Sequence, residues 1–190
     1  MTLSVFYKGR DRYAICFWGA AVFGVLLFLH HQVLQQFPNS ADEFNYLYSA
    51  HLFAQGEISS EPHPLQEVLS AYYIETYQGR TFSIFPPGWP VVLALGVKAG
   101  APGWVNPLLG VLTILVLFLL ARRLAGRVTA WMSVILMSLS PFFLLNSASF
   151  YAHPACLLAV LAGTWCLVIW VDKHTWHSAF LAGILVGWAF

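Results

Sequence analysis

Few side chains in this sequence could do chemistry, and most of them fall between residues 35 and 104. The segment PNSADEFNYLYSAHLFAQGE carries Ser40 and, three residues on, Glu43, the spacing of a capping box at a helix start. Asp42 sits in the first turn of that helix, where the positive end of the helix dipole favours its ionised form. Two readings follow: Asp42 and Glu43 simply cap a helix, or Asp42 presents a carboxylate for chemistry at the level of the lipid headgroups. The next piece, EISSEPHPLQEVLSAYYIETYQGRTFSIFPPGWP, supplies His63, Glu67, Glu75 and Arg80. Gln78-Gly79-Arg80 reads as a hairpin or loop tip, and Arg80 is available to a lipid phosphate if it folds inward. Tyr72, Tyr73, Tyr77 and Trp89 are also typical of the belt where a chain meets headgroups, so simple interfacial anchoring is the competing reading of this piece.

The elements that must position these groups are membrane elements. The 190 residues are 59% hydrophobic and 9% charged, against about 45–50% and 25% in soluble domains. A net charge of +1, with no basic run longer than two, leaves nothing to neutralise a nucleic-acid backbone. Cys16, Cys156 and Cys166 lie in apolar runs without CxxC spacing and read as small core residues. The sequence has no Gly-rich phosphate loop, GxSxG, HExxH or DxD-type site. A substrate is therefore expected to arrive through the membrane.

The expected fold is an all-α integral membrane bundle with amphipathic juxtamembrane helices in a long first extracytoplasmic loop. Spans are expected at about 13–34, 105–121, 128–147 and 154–171, with a last one from 178 cut off at 190, so the chain reads as the N-terminal part of a longer protein. Phe44, Leu47, Tyr48 and Leu52 recur at helical spacing, and Gly56 is a suitable stop, so the helix after Ser40 should lie along the membrane surface. The segment 81–97 is uncharged but carries Pro86, Pro87 and Pro90, which leaves about ten helical residues, too few to cross. Charge supports a surface position for it. Lys8, Arg10, Arg12, Arg122, Arg123, Arg127 and Lys173 then share the cytoplasmic side, with only Arg80 and Lys98 outside. The N-terminus is thereby placed in the cytoplasm of a cell inner (plasma) membrane protein, and 35–104 becomes an extracytoplasmic loop holding six of the eight acidic residues.

This arrangement resembles the GT-C-type integral membrane glycosyltransferases, in particular the group of protein O-mannosyltransferases and lipid A aminoarabinose transferases. The shared features are the Asp-Glu pair with its tyrosine, Asp42-Glu43-Phe44-Asn45-Tyr46, and the proline pair of a short surface helix, Pro86-Pro87-Gly88-Trp89-Pro90. The basic turn from Ala121 to Arg127 and the span end Leu139-Ser140-Pro141 continue the match. The resemblance implies transfer of a sugar from a polyprenyl-phosphate carrier to an acceptor on the outer face of the membrane, with Asp42 as the essential carboxylate and Glu43 beside it. A single inverting displacement would need one base and partners for the leaving phosphate. His63, Arg80, Tyr46 and His153 are the substrate-binding candidates.

Two departures from the family pattern matter. Aminoarabinose transferases carry Glu-Lys where this chain has Ile84-Phe85, so the matching metal and phosphate contacts are absent. Where the family often has an acidic residue after the Ser-Pro span, this chain has His153, which could hydrogen-bond a phosphate, ligate a divalent metal, or simply sit at an interface beside Pro154. His30, His31, His51, His174 and His177 are assigned to interfaces. A non-catalytic membrane module, either a transporter subunit or a scaffold that binds a lipid carrier, is the alternative reading, and the 190-residue chain by itself is expected to be inactive.

Overall fold

The long apolar runs of the sequence are mainly helical, as a chain must be where no water is present to satisfy its backbone N–H and C=O groups. The computed structural model describes residues 9–64 and 73–189, so Lys8, Glu67 and Tyr72 lie outside the described residues. In chain order the elements are α1 (Gly9–Phe28), continued by a π-helical turn (Leu29–Val33), α2 (Ala41–Gln55), β1 (Ile74–Tyr77) and β2 (Arg80–Ser83). They are followed by α3 (Gly88–Lys98), α4 (Val105–Ser138), α5 (Pro141–Ala148), α6 (His153–Lys173) and α7 (Trp176–Trp188). Among the described residues, three stretches are long and apolar enough to cross a membrane: Asp11–Val33, Pro102–Ser138 and His153–Lys173. The protein is a multi-pass, all-α membrane protein.

The second of these stretches folds back on itself. Gly126 takes φ 87° and ψ −179°, a backbone conformation open essentially to glycine alone. The rings of Phe118 and Trp131 stand 5.0 Å apart, whereas thirteen residues of straight helix would hold them about 20 Å apart. Residues 105–125 and 127–138 therefore form an antiparallel pair of limbs, and Ile114, Phe118, Ala130 and Val134 join Ile15, Val22 and Leu26 of α1 in one core. Within 128–147 the backbone forms two helical pieces. Pro141 opens the second, and the Ser140 hydroxyl accepts from the Phe143 N–H at 3.5 Å.

The basic turn is tied down by acids from two other helices. Asp11 is buried and accepts from Arg122 at 2.6 Å and from Arg127 at 2.7 Å, while Arg123 pairs with Asp172 of α6 at 2.6 Å. Asp11→Asn would leave Arg122, whose side chain is only 18% exposed, without its counter-charge. Arg127 is largely in solvent and adds less. The expected loss of stability is about 1–3 kcal/mol, at or below the usual range for a broken buried pair. It should be read as a lower unfolding midpoint in detergent, with a smaller drop for Arg127→Gln.

At the other end of the bundle α2, α3 and the head of α6 share a second core of Ala50, Trp89, Leu93, Ala94, Phe150 and Ala155. The strands form a hairpin closed by Gln78 and Gly79, both at positive φ (49° and 72°), as a two-residue type I′ loop requires. The hairpin lies on α2: Tyr48 Oη reaches Ser60 Oγ at 2.8 Å and donates to the Thr81 carbonyl at 3.1 Å, and Ser83 Oγ donates to Asn45 Oδ1 at 3.0 Å.

Candidate active site

The Asp-Glu pair at the head of α2 divides into two unlike carboxylates. Ser40 is extended (φ −144°, ψ 161°), and its hydroxyl accepts from the Glu43 N–H at 3.3 Å, one half of the capping box. The other half is shifted by a residue: Glu43 Oε2 accepts from the Asn39 N–H, not from that of Ser40, at 2.6 Å. Glu43 Oε1 accepts from the Phe150 N–H at 2.8 Å, across 107 residues of sequence. With both oxygens engaged and 1% of its surface exposed, Glu43 joins α2 to the turn between α5 and α6. Asp42, half-buried beside it, makes no hydrogen bond or ion pair among the described residues.

That turn is held by side chains from four elements. His30 Nδ1, at the end of α1, meets the Ala148 carbonyl at 2.7 Å, so this nitrogen carries the proton. Asn106 Nδ2, at the head of α4, donates to the carbonyls of Ser149 and Tyr151 at 2.7 and 2.8 Å. Trp89 Nε1, in the first turn of α3, donates to the Phe150 carbonyl at 2.9 Å, and Glu43 holds the Phe150 N–H. Exposed backbone in a turn is ordinarily satisfied by water, so four fixed partners make this turn a rigid platform. His30, read from sequence as interfacial, is 2% exposed, and a Cβ at Gly103 would overlap its ring, so glycine there is required by close approach.

The platform carries Tyr151 and His153. His153 stands exposed at the head of α6, its ring 5.4 Å from that of Tyr151 and 6.2 Å from that of Phe142. Tyr46 lies one helical turn after Asp42. Burial pushes its phenol pKa up, and the Asp42 carboxylate, Cys156 and Tyr151 add to the shift, so Tyr46 stays protonated and able to donate across the physiological range. Tyr46, with Asp42 one turn before it, thus lies near Tyr151, and Tyr151 in turn stands beside His153 at the head of α6.

Arg80 and His63 are placed differently. Arg80 is exposed on β2 and donates to the Ser59 hydroxyl at 3.0 Å and to the Ser59 carbonyl at 2.9 Å, with no hydrogen bond or ion pair to Asp42. His63 is exposed in the segment after α2. Among the described residues no three His, Cys, Asp or Glu side chains are grouped as a metal ion would need. The sequence reading gave His30 to an interface and Trp89 to the aromatic belt and assigned Asn106 no role; the structure makes all three supports of the platform.

A family model described as dolichyl-phosphate-mannose-protein mannosyltransferase matches residues 90–190, which takes in most of α3, Asn106, the platform and His153 and begins after the Asp-Glu pair. No curated protein and no solved structure gives a significant match. The matched region is just over half of the chain, and with the apolar helices that carry it, it shows that this chain belongs to the dolichyl-phosphate-mannose-protein mannosyltransferase family of GT-C-type membrane glycosyltransferases.

Proposed function

We propose that the protein transfers a sugar from a polyprenyl-phosphate carrier to an acceptor at the extracytoplasmic face, in one inverting displacement with Asp42 as the general base. The observation that carries this reading is the contrast within the Asp-Glu pair: Glu43 is buried with both oxygens engaged, and Asp42 is half-buried with neither oxygen engaged by any described residue. In the proposed step the Asp42 carboxylate takes the acceptor hydroxyl's proton as that oxygen attacks the anomeric carbon. The bond to the carrier phosphate breaks on the opposite face, and the phosphate leaves with its electron pair. To His153 we assign the reception of that anion, a role supported by its place at the uncapped head of a 21-residue helix, whose N–H groups favour negative charge. Arg80 and His63 would serve the donor only if the hairpin carried them inward, and we place them second. No step is assigned to a metal. A membrane preparation of the full-length protein, offered a panel of polyprenyl-phosphate sugars, tests the reading. Failure to transfer any of them would favour a scaffold that binds a lipid carrier.

We also place the N-terminus in the cytoplasm of the plasma (inner) membrane and 35–104 outside. The positive-inside bias and the gathering of Arg122, Arg123 and Arg127 at the end of the bundle opposite α2 support this orientation. A cysteine introduced at position 60 should label from outside, and one at position 125 only from inside. Labelling of both from the same side would overturn the orientation.

A further inference from the structure

We infer that one face of α1, with the adjoining face of α4, binds an anionic phospholipid, its phosphate at Arg12 and the end of its acyl chain in an apolar groove. The inference is independent of the sugar-transfer reading. Gly19, Ala20, Phe23, Leu108, Val111 and Leu112 line a groove of about 400 Å³ between the two helices, and all six are apolar. At Gly19 the helices come together, since a Cβ there would stand 3.2 Å from Val111 Cγ1. Toward the α2 end, the Phe23 ring meets that of Trp104 edge-on at 5.8 Å.

Charge at the other end of this face selects the occupant. Arg12, Cys16, Gly19 and Phe23 follow one another at intervals of four, three and four residues, so they share one side of α1. Arg12 is exposed and makes no hydrogen bond or ion pair among the described residues. Next to it in sequence, Asp11 is the shared partner of Arg122 and Arg127, and Arg127 remains 65% exposed. Three guanidinium groups at this end are thus set against one carboxylate, which leaves positive charge for a lipid phosphate to match. At about 1.5 Å per residue, Gly19 and Phe23 lie about 10 and 16 Å along the helix from Arg12. One leaflet contributes about 15 Å of the roughly 30 Å hydrocarbon core. An acyl chain whose phosphate sits at Arg12 therefore ends in the groove. The polyprenyl carrier of the proposed reaction does not match this polarity, because its phosphate belongs at the opposite end of the bundle, with Asp42.

The test places the full-length protein in phosphatidylcholine nanodiscs doped with phosphatidylglycerol that carries a diazirine near the end of one acyl chain. The same photoreactive chain on phosphatidylcholine serves as the neutral probe, and cross-linked peptides are mapped by mass spectrometry. In wild type the anionic probe should label residues 19–23 and 108–112 about 5-fold more than the neutral one, the preference expected from one arginine near a membrane surface. Arg12→Gln, at an exposed position, should bring the two probes close to equal. Ala20→Phe, also at an exposed position, should fill the groove and lower labelling there by both probes. Lys98→Gln, which removes an exposed cation on α3, should leave the preference unchanged. Equal labelling by the two probes in wild type, a preference that survives Arg12→Gln, or one lost equally in Lys98→Gln would overturn the inference, as would undiminished labelling in Ala20→Phe. Displacement of the anionic probe by unlabelled polyprenyl phosphate but not by unlabelled phosphatidylglycerol would also overturn it and give the groove to the carrier.

Discussion

Asp42→Asn in the full-length protein is expected to lower turnover by roughly 10²-fold or more, the low end for removing a general base. Asparagine matches aspartate in size and favours helix starts, so the first turn of α2 should persist. The side chain at this position makes no hydrogen bond or ion pair among the described residues, so no partner is stranded by the change. Expression, unfolding midpoint and donor KM should therefore stay close to wild type while kcat falls, the pattern of an interaction made in the transition state. The measurement is a donor titration at fixed acceptor, run beside His153→Ala. If Asp42→Asn keeps near-normal turnover and His153→Ala abolishes it, the base lies on the platform, and Asp42 returns to being an element of helix capping.

Local features were legible in the sequence because their physics is local. Ser40 and Glu43 lie three residues apart, and Gly79 makes a two-residue hairpin loop affordable, so the head of α2 and the β1–β2 turn could be placed from spacing alone. Uncharged runs of sufficient length identified membrane helices for the same reason. The platform was not legible. Its bonds join residues 118, 107, 61 and 43 positions apart, and no periodicity links His30 to Ala148 or Trp89 to Phe150. His30 follows an apolar run and Trp89 follows a proline pair, positions that interfacial residues also occupy, so a belt reading was the natural one. The shift of the Glu43 contact from Ser40 to Asn39 has the same origin: Phe150 claims the second oxygen, and the carboxylate settles where both N–H groups can reach it. The proline pair after Phe85 announced a helix start, but only the folded hairpin brings Tyr73 and Tyr46 against that ring.

Glu43 is expected to answer to mutation in stability before rate. Glu43→Ala removes the acceptors that the Asn39 and Phe150 N–H groups have among the described residues, and Phe150 is buried at 4% exposure. Asn39 is exposed and its N–H can turn to water, so one buried donor, that of Phe150, is left unsatisfied, and the expected loss is roughly 1–3 kcal/mol. Glu43→Gln is the informative variant. Its amide keeps one acceptor and turns an NH2 group toward whichever N–H is left, so one bond survives and one becomes a donor facing a donor. The unfolding midpoint should drop by several degrees. Turnover in the folded fraction should fall by less than about 10-fold, because the proposed base, Asp42, is untouched and only the seating of the turn at Phe150 against α2 loosens. Trp89→Phe removes another support of the same turn, the bond to the Phe150 carbonyl, and should reproduce the stability loss on a smaller scale. A Glu43→Gln protein with a wild-type midpoint and turnover reduced by about 10²-fold would reverse the roles of the pair, making Glu43 the base and Asp42 its neighbour.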